Sequence, residues 1–152
     1  TYDKNNQDIN SVLGLKDKFK NNSINVLLEP VPDDVMVSAK ESELVQVFLN
    51  LLSNAGDAVL TGEDKSVIVK YERNDDFISI SVSDSGPGIS PVNKEKIFEP
   101  FFTTKEVGKG TGLGLSLSKK IIENHGGRLF LDDSTNYTTF VISLPFKVSS
   151  DE

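Results

Sequence analysis

The spacing of apolar residues along the chain predicts three helices. Residues 9–19 place their apolar side chains on one face of a short helix. The strongest helical pattern extends from about residue 41 to residue 60, and we expect that helix to be buried on most sides because apolar residues dominate its surface. Ser38 and Glu41 have the spacing of a capping box at its start. Residues 115–124 predict a third helix. Its inward side chains are predicted to be Leu117, Ile121 and Ile122.

Short alternating segments predict strands between and after these helices. The predicted strands are residues 24–28, 35–37, 67–71, 78–82, 128–131 and 138–146. Two of them, residues 67–71 and 78–82, are expected to form an antiparallel hairpin with one face in solvent. Residues 83–114 form a long segment rich in Gly, Pro, Thr and Lys, and loops of this length inside a compact domain are usually functional. The order predicts an α+β domain in which a helical layer packs on one face of a mixed sheet.

Length and charge narrow the possibilities further. The 152 residues suffice for one domain, predicted at residues 9–146, with residues 1–8 as the frayed end of an upstream linker and residues 147–152 as a polar tail. A net charge of −7 argues against nucleic acid as a partner, although local lysines or a metal can still neutralise a nucleotide. The sequence has no cysteine and no apolar run long enough for a membrane span, which fits a cytoplasmic domain without direct membrane contact.

Two asparagines interrupt the most apolar helix. Asn50 and Asn54 are four residues apart and therefore share a face, and Asp57 lies close to the same stripe. One interpretation is that both amides bond to neighbouring backbone, because an unpaired buried amide is unfavourable. The other is a ligand site, since an amide oxygen suits Mg²⁺.

Two glycine-containing segments follow. Asp84, Gly86 and Gly88 come directly after a predicted strand, either as a plain surface turn or as a turn where the backbone approaches a flat ligand and the carboxylate accepts a hydrogen bond from an amine. Residues 108–114 (GKGTGLG) lead into the third helix, where backbone N–H groups can bind an anion. A flexible linker is the alternative for that segment. Neither a Walker P-loop nor a dinucleotide fingerprint fits the glycine spacing.

The single histidine and three clustered aromatics complete the candidates. His125 lies at the predicted end of the third helix, where a structural role is expected. Phe98, Phe101 and Phe102 lie close together in the long segment. They are expected to anchor the segment in the core, to form a docking patch, or to divide these two roles among them.

Together these segments resemble the ATPase family shared by histidine kinases, type II topoisomerases, mismatch-repair ATPases and a heat-shock chaperone. Residues 50–58 (NLLSNAGDA) resemble the N box, residues 84–89 (DSGPGI) the G1 box, residues 98–105 (FEPFFTTK) the F box and residues 110–115 (GTGLGL) the G2 box. Thr138 lies in a segment similar to the closing motif. The resemblance extends from about residue 9 to residue 146, and the F box favours the histidine kinase branch.

The resemblance implies a Bergerat fold, a two-layer α/β sandwich with a mobile ATP lid at about residues 91–110. It implies that Asn54 coordinates Mg²⁺, that Asn50 assists at the metal or phosphate end, and that Asp84 recognises adenine. Asp57 falls where some relatives have a lysine near the phosphates, so a structural role is expected for it. The ATP-binding residues expected from the resemblance are Asn54, Asp84, Gly86, Gly88, Lys105, Lys109, Gly110, Thr111, Gly112, Leu113, Gly114 and Thr138.

The reaction implied is transfer of the ATP γ-phosphoryl group to a histidine on a separate dimerisation domain, with a response regulator downstream and ADP as product. We expect that phosphoacceptor domain to lie upstream of this sequence. Three alternatives of the same fold are an ATP-driven conformational switch, a serine/threonine kinase and a degenerate, non-catalytic nucleotide binder. The last would be expected to have lost one of the boxes, and none is lost. The switch would need a glutamate at the position of Asn50, and the F box argues against the serine/threonine kinase.

Overall fold

The computed structural model describes residues 4–30, 32–103 and 114–148, with side chains described from residue 13 onward. The helices are α1 (Lys4–Asn21), α2 (Glu41–Val59), α3 (Pro91–Lys94) and α4 (Gly114–Asn124). The strands are β1 (Asn25–Leu28), β2 (Val35–Met36), β3 (Ser66–Arg73), β4 (Phe77–Asp84), β5 (Arg128–Asp132), β6 (Thr138–Pro145) and β7 (Lys147–Val148).

The main sheet has the strand order β1-β3-β4-β6-β5. β1 pairs with β3 in parallel, and the other three pairings are antiparallel. α2 packs across β3 and β4, and α4 packs against β5. This is the predicted α+β arrangement, with a helical layer on a mixed, mostly antiparallel sheet, and the prediction of fold class is confirmed.

The core lies between α2 and one face of the sheet. Inward residues of β4 alternate with partly exposed serines along the strand, so one row of side chains meets the helices. The fully buried side chains of α2, Val47, Leu51 and Val59, pack onto that row. α1 and α4 flank α2 on its other sides, as the nearly continuous apolar surface of this helix predicted.

Several predicted boundaries are corrected. α1 begins at Lys4 rather than at residue 9, and α2 begins after Lys40 with no side-chain cap, so the capping box of Ser38 and Glu41 is wrong. Residues 147 and 148, assigned to the polar tail, pair as β7 with β2. The long loop contains the short helix α3, whose N-cap Ser90 accepts a hydrogen bond from the N–H of Asn93.

The orientation of α4 is also corrected. Leu117, predicted to point inward, is 48% exposed, whereas Ser118 is fully buried next to α2. Near the start of the helix the sequence periodicity is compatible with either residue pointing inward. Ser118 is the inward residue because its hydroxyl accepts a hydrogen bond from Asn50 of α2.

Candidate functional site

Asp84 takes the last inward position of β4. The inward residues before it, Ile78, Ile80 and Val82, belong to the core, and Asp84 is only 4% exposed. Burial raises the pKa of Asp84 to about 6, and a hydrogen bond of 3.0 Å from the backbone N–H of Gly86 to Oδ1 opposes this rise. A carboxylate that ends an apolar row with a perturbed pKa is typical of a functional position.

The turn after β4 brings Asp84 close to α2. A Cβ on Gly86 would lie 2.6 Å from the carbonyl oxygen of Ala58, so a side chain at this position would collide with the helix backbone. Gly88 has φ +85°, a conformation that favours glycine. Directly opposite Asp84 on β6 stands Thr138, so both side chains lie on the same face of the sheet. The structure therefore brings these predicted residues together.

The polar stripe of α2, defined as Asn50, Asn54 and Asp57, runs from this turn toward α4. Asn50 Nδ2 donates to Ser118 Oγ at 3.2 Å and to the carbonyl oxygen of Gly114 at 3.5 Å. Its Oδ1 accepts a hydrogen bond from Gln46 at 3.1 Å. Asn50 thus joins α2 to the first turn of α4. This matches the first of the two interpretations of the sequence, in which the amide bonds to neighbouring groups of the protein; the ligand role stays a prediction.

The third member of the stripe faces α1. Asp57 forms an ion pair with Lys18, and each side chain is 29% exposed. The structural role expected for Asp57 fits this contact. Lys18 was missed by sequence reasoning, because no periodic pattern relates residues that are so far apart in the chain.

The aromatic residues of the long segment have two different environments. Phe98 and Phe102 pack against the core, and Phe98 makes an edge-to-face contact with Phe140 of β6 at 6.1 Å between centroids. Phe101 is 74% exposed and has φ +67°. The segment therefore combines core anchors with an exposed aromatic, which is the mixed use considered for these residues.

Most of the predicted phosphate-binding segment lies outside the described residues. These are Lys105, Lys109, Gly110, Thr111, Gly112 and Leu113. Their roles, and the extent of the lid at about residues 91–110, stay predictions. Gly114 is described and begins α4 beside Asn50.

His125 links the end of α4 to the start of α2. Its Nδ1 bonds to the carbonyl oxygen of Ile121 at 2.7 Å, and its Nε2 accepts the backbone N–H of Lys40 at 3.2 Å. In this arrangement Nδ1 carries the proton and both ring nitrogens are engaged. The structural role predicted for His125 fits these contacts.

A separate cleft of about 120 Å³ lies beside Gly88 and Thr138. Lys94 of α3 and Asp133 line it and form an ion pair of 2.8 Å. Neither Asp84 nor the polar stripe of α2 lines this cleft, so we regard it as a border of the candidate site.

A family model described as histidine kinase-, DNA gyrase B- and HSP90-like ATPase matches residues 39–148. The chain therefore belongs to this ATPase family, and it is a nucleotide-binding domain. Within the family it is a catalytic domain of the sensor histidine kinase type, as the following relatives show.

The catalytic domain of the histidine kinase ThkA is 37% identical and superposes with a TM-score of 0.75, covering 93% of this chain and 92% of that one. The same kinase in complex with the response regulator TrrA is 33% identical with a TM-score of 0.71, covering 92% and 40% of the two chains. The C4-dicarboxylate transport sensor protein DctB of Rhizobium meliloti is 35% identical over 130 residues, which are 86% of this chain and 21% of DctB. The chain thus spans about a fifth of the length of this relative. No helix in the described ranges has the length and apolar character that a membrane crossing requires.

Proposed function

We propose that this domain binds ATP with Mg²⁺ and transfers the γ-phosphoryl group to a histidine on a separate dimerisation domain of its parent protein. Asp84 is the observation that carries the proposal. A buried carboxylate with a raised pKa is unfavourable for the fold alone, and a ligand amine such as adenine N6 would compensate it. Gly86, Gly88 and Thr138 surround it as the adenine end.

The length of the polar stripe supports a nucleotide as the ligand. Ala58, in contact range of the Gly86 turn, and Asn50, bonded to the start of α4, lie about 12 Å apart along the axis of α2. An extended nucleotide fits this distance, with its base at the sheet and its phosphates toward α4. The N-terminus of α4 and the glycine-rich segment before it would then supply N–H donors to the phosphates.

The residues present fit Mg²⁺ held jointly with phosphates. Among the described residues, no group of three or more His, Cys, Asp or Glu side chains is arranged to hold a metal. Mg²⁺ bound through one protein oxygen, phosphate oxygens and waters needs no such group, and the amide oxygen of Asn54 is a suitable ligand. When bound, the metal would neutralise charge on the phosphates.

This chain's own residues contribute positioning and charge stabilisation. Asp84 orients the base, and Asn50 and Asn54 fix the phosphate end against α2. Backbone N–H groups of Gly112, Leu113 and Gly114 and the lysines Lys105 and Lys109 would face the phosphates. Because phosphoryl transfer passes through a loose transition state, such positioning is the main task of the protein.

The phosphoacceptor is proposed to be a histidine on a separate domain, since His125 is the only histidine in this sequence. His125 is a poor acceptor because both of its ring nitrogens are engaged with backbone groups. By analogy with the ThkA–TrrA complex, we propose that a response regulator receives the phosphoryl group next. We also propose that the reaction takes place in the cytoplasm, a reducing compartment that fits a sequence without cysteine.

Incubation with labelled ATP tests this function. We expect the chain alone to stay essentially unlabelled and the dimerisation domain of its parent protein, added separately, to become labelled through an acid-labile, base-stable bond. His125→Ala serves as a control and should not change either result. Strong, acid-stable labelling of the chain alone would mean transfer to a hydroxyl and would support the serine/threonine kinase alternative.

A further inference from the structure

We propose that Lys18 is a nucleotide-binding residue, whose ammonium is held by Asp57 beside the polar stripe of α2 and interacts with the phosphate chain of the nucleotide. This inference rests on the proposed function, because it takes the stripe of Asn50 and Asn54 as the phosphate side of the site. Lys18 lies outside residues 39–148, which match the family model, and outside every box that carries the family resemblance, so neither assigns this role.

Close packing of α1 on α2 fixes the position of Lys18. The buried Phe19 ring lies against Gly56, where a Cβ would be 2.5 Å from Phe19 Cε1. Glycine at this position therefore permits the close approach of the two helices. The adjacent residues form the ion pair of Lys18 with Asp57, so this lysine is oriented by two neighbouring contacts.

The ion pair stands on the same face as the proposed phosphate ligands. Asp57 is three residues after Asn54 and seven after Asn50, so the three side chains form one stripe on α2. Side chains three residues apart have Cβ atoms about 5–6 Å apart. The residue that binds the ammonium of Lys18 therefore stands about one helical turn from Asn54.

Partial exposure leaves the ammonium able to make a further contact. An ammonium has three N–H donors, and the contact with Asp57 leaves others available for a ligand. The pair is about three-tenths exposed, and pairs of this kind contribute little to fold stability. The neighbouring Lys16 and Lys20 are exposed, so Lys18 is distinguished from them by its position between the helices.

Charge supports the same assignment. The chain has a net charge of −7, and Asp57 and Asp84 both border the site, so bound phosphates need local cations. Lys18 neutralises the charge of Asp57, a member of the stripe, and its remaining N–H groups can donate to phosphate oxygens.

Titration calorimetry with adenosine, AMP, ADP and ATP in Mg²⁺ buffer tests the inference. We expect Lys18→Met to weaken ATP binding roughly tenfold, as loss of a charge-assisted hydrogen bond would, and to leave adenosine binding unchanged. Lys18→Arg should retain most of the ATP affinity. Lys16→Met, which removes an exposed lysine of the same helix, should change none of the four affinities.

A second pair of variants separates direct contact from neutralisation of Asp57. If Lys18 contacts phosphate, Lys18→Met weakens ATP binding in an Asp57→Asn background as well. Equal ATP affinity of Asp57→Asn with and without Lys18→Met would overturn the inference, as would an equal loss of adenosine and ATP binding. Failure of the unmodified chain to bind ATP at all would instead refute the proposed function.

A measurement on the unmodified chain covers the case in which Lys18→Met disturbs folding. The side-chain NMR signal of Lys18, assigned by its loss in Lys18→Arg, should shift on addition of ATP and stay in place with adenosine. A signal that ATP leaves unchanged contradicts the contact.

Discussion

The two aspartates at the candidate site differ in how their charges are compensated. Asp84 ends a buried apolar row, and the causes of its pKa shift are burial and one backbone hydrogen bond, with no cation among them. Asp57 lies at the boundary of α1 and α2 and pairs with Lys18. The first carboxylate is compensated by the protein through a single backbone N–H donor, whereas the second is paired with a lysine. Under the proposed function, the sheet end of the site would recognise the base, and the helix end would bind the charged phosphates.

The largest expected effect is on base selection at Asp84. We expect the domain to bind ATP well and GTP poorly, and Asp84→Ala to weaken ATP binding by roughly 10- to 100-fold while GTP binding changes little, because a hydrogen bond to a charged acceptor is lost. Titration calorimetry with both nucleotides measures the difference. Asp75→Ala, in the exposed turn between β3 and β4, is the control and should preserve selectivity. Equal affinity of the unmodified domain for GTP and ATP would remove Asp84 from base recognition.

The next effect concerns the free energy of unfolding. Removing the charge of Asp84, which should weaken ATP binding, should stabilise the fold. A pKa raised to about 6 means that the folded state holds the Asp84 proton more tightly than the unfolded state, so this contribution to stability is present at pH below about 4 and is lost as pH rises through about 6. At pH 7, Asp84→Asn should therefore raise the free energy of unfolding by roughly 3 kcal/mol, and by only about 0.5 kcal/mol at pH 4. Urea denaturation at both pH values measures it. A destabilised variant at pH 7 would show that the ionised carboxylate is well compensated in the free protein.

Metal dependence should be confined to the helix end. Asn54→Ala is expected to weaken ATP binding about tenfold in Mg²⁺ and much less in EDTA, because one ligand of the metal is lost. Glu41→Gln, at an exposed position at the start of the same helix and away from the polar stripe, is the control. Calorimetry that gives equal losses in both buffers would contradict the metal role of Asn54.

The sequence predicted the layer arrangement because periodicity alone orients most elements. The apolar surface of α2 and the alternation of β4 both led to the observed core. Local turn chemistry was less informative, since Lys40 rather than Ser38 precedes α2 and its N–H is bonded by His125 from the end of α4. A long-range partner replaced the local cap, and no local pattern contains that information.

In the candidate site, too, local patterns predicted some residues, whereas residues placed by long-range packing were missed. The stripe of α2 was predictable because its polar residues interrupt an apolar pattern, and Asp84 because it precedes a glycine-containing turn directly after a strand. Ser118 left a weaker signal, a small polar residue three positions after Leu115 and three before Ile121 on the inner face of α4. Lys18 left none, because its position depends on how α1 docks on Gly56.

The smallest expected effect is the contribution of the Lys18–Asp57 pair to stability. Because both side chains are partly exposed, we expect their coupling to be roughly 0.5 kcal/mol, and smaller at high salt. Urea denaturation of the parent domain, Asp57→Asn, Lys18→Met and the double variant gives this coupling directly. As a control, the coupling free energy between Lys16→Met and Asp57→Asn should be too small to measure. A coupling above about 2 kcal/mol would mean that the pair behaves as a buried one, whose loss is strongly destabilising. In that case Asp57 and Asp84 would both be fixed by burial, and the contrast between the helix end and the sheet end of the site would not hold.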